Sequence, residues 1–310
     1  MTTARWLREL LASKGVKIAG GSAMDRALRA MTRTAEAVLS PPVAYGAEKL
    51  ALLLHDETGR TNLERFILDG VAGAHLARSI RNALEINPAV FDGKWNLFSG
   101  PDVLLARHIG RTSERDLMWE LYLAALCLRA ADDVRISDNG NPDVGFRVRD
   151  VRWGIEGKVP NSRRRDRQID CVKEAIKQLE KSDIDRGFVA VNLTSVVDHA
   201  RFGQSVRAFG ETLFSEAEIM ADLQRQVTAI VEPFSQAHFH GWARPYQKAR
   251  AIFFEAQTIC FAGKTLSLTS YHLWFDLHKP DRAELKDQLT WPHPPDQAMA
   301  NRFQKAVQDA

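Results

Sequence analysis

The stretch Asn141–Pro160, NPDVGFRVRDVRWGIEGKVP, alternates apolar and polar residues through two short runs. Val144, Phe146 and Val148 fall on one face of the first run, with Asp143, Gly145 and Arg147 on the other. In the second, Val151, Trp153, Ile155 and Val159 fall together, and Arg152, Gly154, Glu156 and Lys158 oppose them. A period of two belongs to a strand with one buried face. Two strands are therefore expected, at about 142–149 and 151–159. A two-residue turn at Arg149–Asp150 sets Val148 against Val151, Phe146 against Trp153 and Val144 against Ile155, so every apolar pair matches. A slip of one residue would lose that match. Two features strain the scheme: Arg-Asp is not a favoured hairpin turn, and Gly157 is a candidate bulge within the second strand.

The same register sets Asp143 opposite Glu156, and alternation puts Lys158 beside Glu156. Facing Cβ atoms in such a pair lie roughly 4.5–5.5 Å apart. Two carboxylates at that range repel unless a cation, Lys158 or a divalent metal, sits between them. A solvated polar face with a casual Glu–Lys pair is the plain alternative.

The neighbouring segments weigh against it. In DLMWELYLAALCL, Asp116–Leu128, Glu120 is the lone charge after Asp116, beside a helical stripe of Leu117, Leu121, Ala124 and Leu128. A carboxylate so surrounded is costly unless it is paired, hydrogen-bonded or metal-bound; the alternative is that Glu120 sits at the edge of the stripe and reaches solvent or an arginine. After the hairpin comes an expected helix over about 163–181. Ile169, Val172, Ile176 and Leu179 form its core stripe, with Gln168, Cys171, Ala175 and Gln178 alongside. Arg163, Arg164, Arg165 and Arg167 crowd its start, where cations oppose the helix dipole, so the cluster does not serve helix stability. A phosphate backbone is a natural partner for these arginines and for Arg147 and Arg152; a solvated basic run near Asp166 and Asp170 is the alternative.

Residues 1–110 are expected to form a helical N-terminal region for recognition, dimerisation or partner binding, with helices over about 22–39, 47–57 and 62–84. Residues 111–310 carry the chemistry: a helix over 113–131, the hairpin, the basic helix, a strand at GFVAVNL, a helix within 214–234, two late strands and a terminal helix. The 310 residues, 45% hydrophobic, suffice for a substantial core, and the net charge of +3 is only mildly basic. Three dispersed cysteines weigh against a disulfide framework or a zinc site. The N-terminus has no apolar run fit for a signal peptide or a membrane span, so a cytoplasmic protein is expected. Gly263-Lys264-Thr265 lacks the upstream glycine of a phosphate-binding loop. His238 and His240, on one side of any extended segment, lack further ligands; WARPYQKAR, Trp242–Arg250, reads as a passage from loop to strand, with a nucleic-acid contact by stacking and charge as the lesser reading.

The order is a helix with Glu120, a strand with Pro142-Asp143, a strand with Glu156-Gly157-Lys158, a helix with Gln178, then the strand GFVAVNL. Over about residues 113–194 it resembles the core of the PD-(D/E)XK nuclease superfamily. That resemblance implies an α/β, restriction-endonuclease-like core with a mixed central β-sheet flanked by helices. It implies that Asp143, Glu156 and Glu120 bind Mg2+, with Mn2+ able to substitute, that Lys158 is catalytic, and that Gln178, with Gln168 the lesser match, completes the site. The expected activity is endonucleolytic hydrolysis of DNA, with RNA open as a substrate, in a restriction or defence setting. Gly157 departs from the larger residue usual in the family. A homodimer and a protein partner on the N-terminal helices are both open. So are two other readings: a non-catalytic nucleic-acid-binding or interaction protein that kept the fold, and a globular protein with no nucleic-acid partner.

Overall fold

The computed structural model describes residues 3–39, 70, 73–74, 76–99, 113–137, 142–200, 214–262, 265–277, 299, 301–303 and 305–306. The helix expected over 47–57 lies outside these residues, as does Gly263-Lys264; that over 62–84 is described as continuous helix only from 76, to 86. The helices are α1 (Thr3–Ser13), α2 (Ala23–Leu39), α3 (Ser113–Ala130), α4 (Arg165–Lys181), α5 (Glu216–Val231) and α6 (Ala237–Ala243). The strands are β1 (Asp132–Ile136), β2 (Val144–Val148), β3 (Val151–Lys158), β4 (Arg186–Asn192), β5 (Ala249–Ala262) and β6 (Thr265–Asp276). Together they form an α/β protein.

Among the described residues the six strands make one open mixed sheet, in the order β1-β2-β3-β4-β5-β6. β1, β2 and β3 pair antiparallel, β3–β4 and β4–β5 are parallel, and β6 returns antiparallel to β5. The hairpin has the register that apolar matching demands: Val144 pairs with Ile155, Phe146 with Trp153 and Val148 with Val151. The unfavoured turn is accommodated by Arg149, whose φ of 55° lies in the left-handed region. A non-glycine residue there costs about 1–2 kcal/mol, which the matched pairs offset.

β1 is an element that the sequence reading lacks. Asp132-Asp133 opens it, its pairing with β2 shifts register between Asp132 and Arg135, and of its five residues only Val134 is buried. An irregular, acidic edge strand carries little alternation to read. The segment HFH is helical rather than extended, within α6, and WARPYQKAR begins in the same helix at Trp242 before it reaches β5.

Gly157 is not a bulge. Glu156, Gly157 and Lys158 pair in unbroken succession with Val189, Ala190 and Val191 of β4. The glycine serves packing instead: a Cβ there would lie 3.0 Å from Trp119 Cδ1 and 3.3 Å from Leu123 Cδ1. The bare backbone lets α3 lie close on β3, and Trp119 Nε1 donates to the Ala190 carbonyl at 2.9 Å beside it.

Three apolar clusters hold the layers. One packs α4, α5 and α6 on one sheet face, through residues such as Ile176, Leu179, Val227 and Phe239 against Val189, Val191 and Phe254. On the other face Trp119, Leu123 and Leu126 of α3 meet Phe146, Trp153, Ile155 and Phe188, joined by Phe303 near the C-terminus. The third joins α1, α2, residues 76–86 and the turn around Trp95 to Leu121 and Ala125 of α3. α3 is thus buried between the sheet and the N-terminal layer, which is why it is apolar nearly all round.

Candidate functional site

The C-terminal end of β3 gathers the polar residues of the hairpin. Asp143 precedes β2, and its Oδ2 accepts the Gly157 backbone N–H at 2.8 Å, which fixes the carboxylate across β3. Glu156 is only 1% exposed. Its Oε1 accepts from Lys158 Nζ at 2.9 Å, while its Oε2 is buried with no hydrogen-bond partner. A buried acceptor left without a partner is costly in a folded protein. Glu120 reaches the same region from α3.

The electrostatics are those of an acidic site short of positive charge. Burial, then the Asp143 carboxylate, raises the Glu156 carboxyl from 4.5 to about 7, against the pull of Lys158 and of the nearby Asp143 backbone N–H. Burial, then Asp143 and Asp116, raises Glu120 to about 8, with Lys94 opposing. Asp143 is raised by burial, against Lys158 and the Gly157 N–H. Burial alone would lower the Lys158 ammonium, but Glu156 and Asp143 outweigh it and hold it above its usual value. Lys158 is therefore charged at neutral pH, a donor rather than a base.

A cleft of about 420 Å³ opens beside this cluster, between α3, the end of β3 and α4. Glu120, Asp143, Lys158, Arg167, Gln168 and Gln178 line it, and Glu156 sits behind its wall, bonded to Lys158. Gln178 Oε1 is buried and unpartnered, whereas Gln168 is spent structurally, its Nε2 donating to the Ser162 carbonyl at 3.1 Å.

Of the arginines singled out, only Arg167 lines the cleft. Arg163 is exposed, Arg164 pairs with Asp166 at 2.6 Å and Arg165 with Glu232 at 3.5 Å. Arg147 and Arg152 face each other at the far end of the hairpin. Six residues of β3, roughly 20 Å of strand, separate Arg152 from Lys158. There Arg152 is engaged with Asp183 at 2.9 Å and Asp185 at 3.2 Å.

Asp116, Asp170 and Glu174 also line the cleft and were not foreseen. Their spacing offered a signal: Asp116 stands four residues before Glu120, and Asp170, Glu174 and Gln178 form one helical row. Lys94 carried none; it is brought near Glu120 by folding, with its Nζ donating to the Ser137 carbonyl at 2.8 Å. The cleft lining totals five carboxylates against Lys158 and Arg167. Among the described residues no group of three or more His, Cys, Asp and Glu side chains is arranged to hold a metal ion. Nor, among them, is any helix long and apolar enough to cross a membrane.

A second polar group is buried beyond Trp119, whose ring stacks on Tyr122 with centroids 5.4 Å apart. Tyr122 Oη donates to Glu255 Oε1 at 3.3 Å and Gln257 Nε2 donates to the same oxygen at 2.6 Å, while Glu255 Oε2 has no partner. Burial raises Glu255 to about 7 despite these bonds. No protein-family model, curated protein or solved structure matches the chain.

Proposed function

We propose that the chain is a magnesium-dependent nuclease that hydrolyses DNA in this cleft, on a restriction-endonuclease-like core. The observation that carries the reading is the convergence of Asp143, Glu156, Lys158 and Glu120, with a buried, unpartnered oxygen on Glu156. The element order supports it: a helix, three antiparallel strands, a helix and a strand parallel to the third.

The donor set fits magnesium. The ion takes hard oxygens, uses one or two carboxylates and keeps several waters, so a full protein cage is not needed. Asp143 and Glu156, with Glu120 alongside, would hold it, and the excess of carboxylates favours a cation ahead of a phosphate. When bound, magnesium supplies charge neutralisation at the phosphate and a more acidic water. Lys158, as an ammonium, donates to the charge that develops on the phosphoryl oxygens or orients the attacking water. The Gly157 N–H keeps Asp143 in place. Gln178 Oε1 is free to accept from that water, and Arg167 contacts a neighbouring phosphate.

Incubation of the protein with plasmid, linear duplex, single-stranded DNA and RNA, with Mg2+, Mn2+ or EDTA, tests the proposal. Cleavage of DNA that requires the metal, and that falls at least about 100-fold in Lys158→Ala while binding persists, is expected. Binding without cleavage under either metal would favour the non-catalytic alternative. Unchanged cleavage by Lys158→Ala and Asp143→Asn would refute the site.

A further inference from the structure

α4 presents two parallel rows. Asp170, Glu174 and Gln178 line the acidic cleft. Lys173, Lys177 and Lys181 repeat the four-residue spacing three positions on, which places the second row about 60° round the helix. This lysine row lines a groove of about 690 Å³ to which Asp170, Glu174 and Gln178 also belong, so groove and cleft adjoin along that acidic row.

Helix stability accounts for only part of the row: Lys173 and Lys177 stand three residues after Asp170 and Glu174, a favourable spacing. Like charges four residues apart oppose a helix. The helix dipole favours Lys181 in the last turn but does not extend to Lys173. None of the three lysines makes an ion pair among the described residues. Instead Lys173 and Lys177 converge on one aromatic ring, their Nζ atoms 5.0 and 5.9 Å from the centroid of Trp242. Trp242 is braced by Tyr246, with ring centroids 5.0 Å apart. Two ammonium groups gathered on one ring repel each other, and an anion laid across them relieves the repulsion. From Lys173 to Lys181 the row spans about 12 Å, the axial rise of roughly three to four base-pair steps of a duplex.

We propose that Lys173, Lys177 and Lys181 form the track for the phosphates of the nucleic-acid strand that enters the cleft, with Trp242 holding two of the ammonium groups in position. The inference rests on the nuclease reading for the strand's destination. It goes beyond that reading in assigning the contact to the lysine row rather than to the paired arginines at the start of α4.

The test is fluorescence anisotropy of a labelled 30-nucleotide strand and its duplex, in EDTA, across about 50–200 mM salt. The triple variant Lys173→Ala/Lys177→Ala/Lys181→Ala is expected to bind at least 10-fold more weakly. Its slope of log affinity against log salt should be shallower by about 2–3, one counterion release per lost contact. Replacing all three lysines by arginine should preserve both quantities, and matching thermal melts exclude misfolding. If the triple variant binds with unchanged affinity and slope while the wild type cleaves, the track is wrong and the nuclease reading stands. If lysine-dependent binding is found but no metal supports cleavage, the track stands and the nuclease reading falls. Absence of binding by the wild type, or lysine-dependent binding of anionic vesicles with none of oligonucleotide, overturns the track.

Discussion

Glu156→Gln probes the electrostatic premise of the site with no nucleic acid present. The Glu156 side chain is 1% exposed, its Oε2 has no partner, and burial and Asp143 raise its carboxyl from 4.5 to about 7. A raised carboxyl means that the folded protein holds the proton more tightly than the unfolded chain. The stabilising contribution is complete below pH 4.5, declines as pH rises, and is lost above about 7. That difference corresponds to about 3 kcal/mol. Glutamine does not titrate, so the variant should gain about 3 kcal/mol on the wild type between pH 4.5 and pH 8, or roughly 4–6 °C in Tm. Denaturation in EDTA at pH 4.5, 6, 7 and 8 measures the gap directly. Mg2+ should then stabilise the wild type more at pH 8 than at pH 6, because cation and proton compete for the same oxygens, and should stabilise the variant far less. Stability curves that run parallel for wild type and variant would refute the reasoning.

Gly157→Ala should destabilise the fold by about 1–3 kcal/mol, because the new methyl meets Trp119 and Leu123; urea denaturation checks it, and a neutral result would mean that α3 can retreat freely. Arg167→Ala should weaken DNA binding, whereas Arg152→Ala, with its partners Asp183 and Asp185 far from the cleft, should leave binding and cleavage unchanged. Anisotropy and cleavage assays separate the two, and a reversed order would show that substrate takes another path. Glu255→Gln should be at least as stable as the wild type above pH 7, where the buried carboxylate is charged, with the advantage vanishing near pH 4.5. Thermal melts at the two pH values decide, and equal destabilisation at both would tie Glu255 to its hydrogen bonds instead.

The hairpin was legible because three apolar pairs fix a register that no slip preserves, and that register carried Asp143, Glu156 and Lys158 with it. α4 and β4 were legible for a similar reason, since a clean stripe and an unbroken apolar run each have one reading. β1 was not, because an exposed edge strand that opens with two aspartates has no buried face to announce it. The role of Gly157 was beyond reach: a missing Cβ means a bulge or a close approach, and only Trp119, 38 residues earlier in the chain, decides which. Arg147 and Arg152 share strand faces with the site residues, yet alternation says nothing about distance along a strand, and they stand at the opposite end. The acidity of the cleft depends on Asp116, Asp170 and Glu174, which come from two helices that only tertiary packing brings together.

α3 belongs to two interiors at once. Trp119 and Leu123 are committed to the sheet, while Leu121 and Ala125 are committed to the N-terminal layer, within a single turn or two of helix. The boundary near residue 110 is thus a feature of the sequence and not a seam in the free energy. Stripping away the N-terminal helices would bare an apolar face on the helix that carries Glu120, and would remove Lys94 from its neighbourhood. The two parts are in this sense a vault and its keystone: what looks like an appendage sets the position and the charge of a residue in the cleft, and cannot be exchanged for another module without rebuilding the site.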